Sequence, residues 1–216
     1  MNFNDKRMVY KSSSKERLMA LVAYPSFLKL LDVKNKPYKV FLEWLLKDEL
    51  KINDEDTRLP DIKDIAKVSG VDAQKIANYL KIIYDDIFEL NDKEPEKFMR
   101  ESQTLCTLYF KYVTYTTRFS LGLNKVPRKG ELIDFSFIRP KIMGTMFYVE
   151  RVDYYIRDNE QSILIDLDAN KENLYLRLLR EKAYLKGHIS STDSIDLEFG
   201  NNHSLKDKLV KMYQNL

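Results

Sequence analysis

The sequence predicts an α+β protein with a helical N-terminal domain over residues 1–100 and a β-rich domain over 101–216 closed by two C-terminal helices. Three observations predict it. Apolar residues recur at helical spacing through the first ninety positions. Thr, Tyr, Phe and Val then dominate 104–119, with further strand-like runs up to residue 167. Helical spacing returns from Leu174. A length of 216 residues suits one large or two small domains.

Each element has a local reason. Ser13 stands three before Glu16, a capping-box pair that starts a helix at Ser14. That helix should end before Pro25, since a pre-proline residue disfavours helical dihedrals. Pro37 suits a first helical position, and Val40, Phe41, Trp44 and Leu45 continue an apolar stripe to about Lys51. Two further helices lie between Asp61 and Phe88, followed by Asn91–Pro95, which reads as a linker. Thr104–Phe119 reads as one long strand, and Ile133, Phe135 and Phe137 alternate as a half-buried strand. Met146–Ile156 and Ser162–Leu167 flank a hairpin loop, so the expected β domain is a small antiparallel sheet or barrel. Leu174, Leu178 and Leu185 share a helical face, and a last helix is expected after Ser204.

Composition narrows the function. The longest stretch without a charge, Leu18–Leu28, contains Pro25 and falls well short of the roughly 20 apolar residues that span a bilayer. The N-terminus lacks the pattern of a secretory signal, and a single cysteine, Cys106, excludes an internal disulfide framework or a cysteine zinc site. No membrane association and a reducing cytoplasm are therefore expected. Charge is uneven: residues 1–40 carry a net +6, residues 41–104 a net −6, and the whole chain +3.

The most specific constellation is Ile62–Lys81, IKDIAKVSGVDAQKIANYLK. Two helices crossing over a short turn need a small residue at the crossing, supplied by Ala66. The turn needs a residue that tolerates positive φ, supplied by Gly70. Val71, Ile76 and Leu80 can then fold back onto Ile65 and Val68, with Asp61 and Asp72 as helix caps. The segment DIAKVSGVDAQKIANYL resembles the helix-turn-helix of bacterial transcription regulators over about twenty residues. It departs from their pattern in placing Asp72 where Ser or Thr is usual, and in a second helix that continues to Ile87.

The resemblance implies that the second helix enters the major groove of double-stranded DNA. Ala73, Gln74, Ala77, Asn78 and Lys81 would then form its free face. Gln74 and Asn78 are suited to pair with adenine, the alanines to meet thymine methyl groups, and Lys63, Lys67, Lys75 and Lys81 to hold phosphates. Arg58–Asp86 carries as many acidic as basic residues. Because phosphate neutralisation dominates affinity, further charge is needed from Lys6, Arg7, Lys11, Lys15 and Arg17, from the Arg128–Lys129 turn, or from a second copy in a homodimer.

Catalytic signatures are sparse. His188 and His203 lack metal-ligand spacing, and no phosphate loop, dinucleotide fingerprint or nucleophile elbow occurs. Asp166 and Asp168 share one strand face and Asp153 could join them, an arrangement open to a metal-dependent nuclease or to the wet side of a sheet. The leading expectation is a sequence-specific DNA-binding regulator without catalysis, metal or cofactor, whose β-rich domain serves assembly or signal sensing. A protein-interaction scaffold that uses the helix-turn-helix structurally, in a mobile-element or assembly complex, is the alternative, and the nuclease the third.

Overall fold

The first helix begins at a reciprocal cap. The Glu16 amide donates to Ser13 Oγ (3.2 Å) and the Ser13 amide to Glu16 Oε2 (2.8 Å), so two end amides are satisfied at once. The computed structural model describes residues 10–47, 60–157, 160–169, 174–198 and 203–213. Helix α1 spans Ser14–Ala23 and α2 Pro25–Leu28, divided where expected by Pro25. Helix α3 spans Lys39–Leu46. It starts two residues after Pro37, which sits in the preceding turn, and ends at Leu46; the expected continuation to Lys51 lies outside the described residues.

Helices α4 (Ile62–Ser69) and α5 (Ala73–Lys93) follow. The segment expected as a linker belongs to α5 as far as Lys93, for a tertiary reason. Asn91, 3% exposed, donates from Nδ2 to the Ser120 carbonyl (2.6 Å) and accepts from the Ser120 amide (2.8 Å). Its side chain thus pairs with a backbone as a neighbouring strand would, and Pro95 opens a 3₁₀ turn (Pro95–Phe98) beyond it.

Five strands form one mixed, curled sheet: β1 (Thr104–Tyr112), β2 (Tyr115–Leu123), β3 (Leu132–Asp134), β4 (Met146–Arg157) and β5 (Glu160–Asp168), in the order β2-β1-β5-β4-β3. The single strand expected over 104–119 is a hairpin. Tyr112 faces Tyr115, and Val113 turns the chain at φ 56, a conformation normally left to Gly or Asn. The sheet is not wholly antiparallel either. The β4–β5 hairpin returns β5 to the middle, parallel to β1, with Cys106 beside Ile163 and Phe110 beside Leu167. Phe135 and Phe137 do not continue β3. They enter a 3₁₀ turn (Ser136–Ile138) and a short helix α6 (Arg139–Ile142), with Pro140 in its first turn.

One buried side of the sheet (Cys106, Leu108, Phe110, Ile163, Ile165, Leu167) shares a core with the helices. Phe137 sits at its centre, with ring centroids 5.1 Å from Phe27, 5.1 Å from Tyr84 and 5.3 Å from Phe119. Tyr84 donates its hydroxyl to the Phe137 carbonyl (2.8 Å), and burial pushes its phenol well above the usual range. Cys106 is a fully buried core residue whose thiol is pushed up to about 11 by burial.

The chain divides into the units Met1–Asn170 and Lys171–Leu216. The position near residue 100 expected as a boundary lies inside the first unit, whose core runs from Leu18 to Leu167 across both helices and strands. Among the described residues, the second unit holds three helices where two were expected: α7 (Leu174–Leu185), α8 (Ser191–Glu198) and α9 (His203–Tyr213). The added α8 starts at a reciprocal pair, with the Ser190 amide donating to Asp193 Oδ2 (3.0 Å) and the Asp193 amide to Ser190 Oγ (3.0 Å). Its core is small: Leu179, Ala183, Ile189, Leu209 and Tyr213.

Candidate nucleic-acid interface

Helix α4 ends at Gly70, whose φ of 68 and ψ of 12 place it in the left-handed region that reverses the chain into α5. A Cβ there would meet nothing within 4 Å, so backbone conformation alone asks for glycine. Asp72 caps α5 as expected, Oδ1 accepting from the Gln74 amide (2.9 Å) and the Lys75 amide (3.2 Å). Asp61 makes no side-chain cap; its carbonyl takes the Asp64 and Ile65 amides instead.

The first turns of α5 separate into two faces. Ile76 and Leu80 are fully buried, and Tyr79 is half-buried with its ring 6.2 Å from Phe41 of α3. Gln74, Lys75, Asn78 and Lys81 are exposed, while Ala73 and Ala77 are half-buried at the margin rather than on the free face expected for them. Gln74, Asn78 and Lys81 follow one another at i, i+4 and i+7, so their side chains share one strip of the helix. On α4, Lys63 is exposed and Lys67 pairs with Asp64 (3.2 Å) in solvent. Val68, expected beneath α5, is instead 70% exposed, because Ile65 is the buried member of α4.

The acidic residues of α5 lie further along and are engaged. Lys141 reaches Asp85 (3.1 Å) and Lys36 reaches Asp86 (2.8 Å). The Tyr38 hydroxyl also donates to Asp86, and burial, with that carboxylate, raises the Tyr38 phenol above its ordinary value. The Asp72 carboxylate faces the end amides of α5, where its charge meets the positive end of the helix dipole. The amide-bearing strip therefore carries Lys81, with Lys75 beside it; the Asp72 carboxylate at its start is turned onto the end amides, and Asp85, one turn beyond Lys81, is held by Lys141.

The accessory cations are dispersed. Lys6 and Arg7 lie outside the described residues. Lys11 and Lys15 are exposed at the start of α1, and Arg17 is half-buried, its charge acting on Tyr84 of α5. Arg128 and Lys129 are exposed, but the turn that carries them does not join neighbouring strands. It connects β2 and β3 at opposite edges of the sheet. It is pinned to β4 by the Gly130 amide on the Val149 carbonyl (2.8 Å) and the Val149 amide on the Glu131 carbonyl (2.9 Å).

Asp153, Asp166 and Asp168 do fall on the side of the sheet away from the core. Arg151 holds Asp166 (2.7 Å) and Asp153 (3.0 Å), and Lys111 lies 3.4 Å from the buried Asp168. Among the described residues, no group of three or more His, Cys, Asp or Glu side chains is arranged to hold a metal ion. None of the described helices is long and apolar enough to cross a membrane. No family model matches this chain, and no curated protein or solved structure shows significant similarity to it.

Proposed function

We propose that this protein binds double-stranded DNA, with the first turns of α5 in the major groove, and that it acts as a transcriptional regulator. The observation that carries this reading is the division of those turns. Ile76 and Leu80 anchor the helix in the core, while Gln74, Asn78 and Lys81 stand on one exposed strip. Amide side chains read adenine through paired hydrogen bonds, and each such pair discriminates by about 1–3 kcal/mol against the wrong base. Lys63, Lys67, Lys75 and Lys81 supply phosphate contacts that set register. Few cations surround the strip, so a homodimer on two half-sites is the form in which binding would be tight. The cytoplasm is the corresponding address.

Selection from a random duplex library at two salt concentrations tests this reading. A shared sequence motif should emerge, and binding should weaken steeply with salt. The double variant Gln74→Ala/Asn78→Ala should lose the motif while keeping salt-sensitive binding. An unaltered motif in that variant removes these two residues as readers, and the absence of any motif removes the proposal. A second reading, a protein-interaction scaffold, draws on the acidic balance of residues 41–104, a net −6 that disfavours phosphate contact. The nuclease reading is the least supported, because Arg151 already holds Asp153 and Asp166.

A further inference from the structure

Strand β4 is much longer than its partner on the outer side. Strand β3 pairs only with Met146–Tyr148, and the Gly130–Glu131 segment continues that pairing at Val149. A register shift between Val149 and Arg151 then bends the strand. From Arg151 to Ile156 the strand pairs with β5 on its inner edge; among the described residues, no backbone hydrogen bond is made on its outer edge. Such an edge is a template for one more strand. Beyond the Arg151–Asp153 ion pair, three large side chains along it are exposed: Tyr154 at 56%, Tyr155 at 44% and Ile156 at 74%.

The edge borders a cleft of about 610 Å³, walled on one side by Arg151, Val152 and Tyr154 and on the other by the pinned segment with Lys125, Arg128 and Lys129. Among the described residues, Glu150 is the one carboxylate that lines it. We infer that this cleft takes an extended acidic peptide of a partner protein, which adds to the sheet along the outer edge of β4. The edge would supply main-chain hydrogen bonds, the Tyr154 and Val152 side chains apolar contact, and Lys125 and Arg128 across the cleft a preference for Asp and Glu at alternate positions. At about 3.3 Å per residue, Arg151–Ile156 spans roughly 20 Å, enough for a guest of five or six residues. A single nucleic-acid strand could also meet cations and a tyrosine, but it would leave the unpaired backbone unused. This inference does not rest on the DNA reading, whose base-reading strip lies on α5; it assigns Arg128 and Lys129, which the sequence offers as accessory phosphate contacts, to the cleft instead.

The test uses the full chain and a fluorescein-labelled hexapeptide alternating glutamate with valine, read by anisotropy. Three comparators accompany it: the same peptide N-methylated at alternate backbone amides, its lysine counterpart, and a single-stranded hexanucleotide. Saturable binding of the acidic peptide is expected, with affinity falling about tenfold or more on N-methylation and on Arg128→Glu. The Tyr154→Ser variant should also weaken it, and Gln74→Ala/Asn78→Ala should leave it unchanged. Unchanged thermal melts of the variants separate lost contact from lost folding. No saturable binding below about 1 mM overturns the inference. So does equal binding of the N-methylated peptide, or displacement of the peptide by a lower concentration of the hexanucleotide.

Discussion

Asn91 offers the sharpest test of how α5 is held on the sheet. Its carboxamide takes the place of a neighbouring strand for Ser120, donating at 2.6 Å and accepting at 2.8 Å, while only 3% exposed. Asn91→Ala removes both partners of the Ser120 backbone and leaves a part-buried amide and carbonyl without hydrogen bonds. Each unsatisfied buried group costs about 1–3 kcal/mol, so a loss of roughly 3 kcal/mol is expected. Thermal midpoints of domains of this size move about 2–4 °C per kcal/mol, giving a fall of roughly 6–12 °C. Asn91→Asp retains the acceptor but sets a carboxylate oxygen against the Ser120 carbonyl, and should be at least as damaging near neutral pH. The only tryptophan, Trp44, lies in the same unit and makes its fluorescence a local reporter of urea unfolding. Hydrogen exchange at the Ser120 amide provides a second readout, with protection falling in both variants. A loss below about 1 kcal/mol for Asn91→Ala, with that amide still protected, would refute the idea that this side chain secures the helix to the sheet edge.

Two further outcomes concern local geometry. Gly70→Ala should destabilise by about 1–2 kcal/mol through its positive φ alone, because a Cβ there touches nothing; Gly70→Asn should cost less, and equal thermal midpoints for Gly70→Ala and the parent would contradict this. Glu16 combines a burial effect that raises its pKa with hydrogen bonds from Ser13 and Tyr10 and the charge of Arg139, which together hold it below the ordinary value of 4.5. A lowered carboxylate pKa stabilises the fold fully above the unfolded value and loses that contribution as pH falls through the folded value. Ser13→Ala should therefore cost about 1 kcal/mol at neutral pH and flatten the acid side of a stability–pH profile; an unchanged acid limb would show that the cap does not hold the carboxylate.

Much of the helical half was legible because its signals are local. The Ser13–Glu16 box, the break at Pro25 and the Gly70 turn each act within a few residues. The spacing of Ile76 and Leu80 likewise separated a buried face of α5 from an exposed one bearing Gln74 and Asn78. The β half was harder. The turn at Val113–Thr114 lacks the glycine or asparagine that marks a hairpin, so two strands read as one. Ser190 and Asp193 did carry a readable start signal for α8, spaced as the box at Ser13 is, and the weak amphipathicity of that helix hid it.

Sequence alone determined where individual helices start, where glycine had to sit, and which residues of α5 could be free to meet a partner. These follow from side-chain spacing and backbone sterics within one or two turns. Only the tertiary structure decided that Asn91 belongs to a helix, that β5 lies parallel to β1, and that the outer edge of β4 borders a cleft. Each of those depends on residues tens of positions apart satisfying one another's hydrogen bonds and burial, and a linear pattern holds no record of which partner will be near.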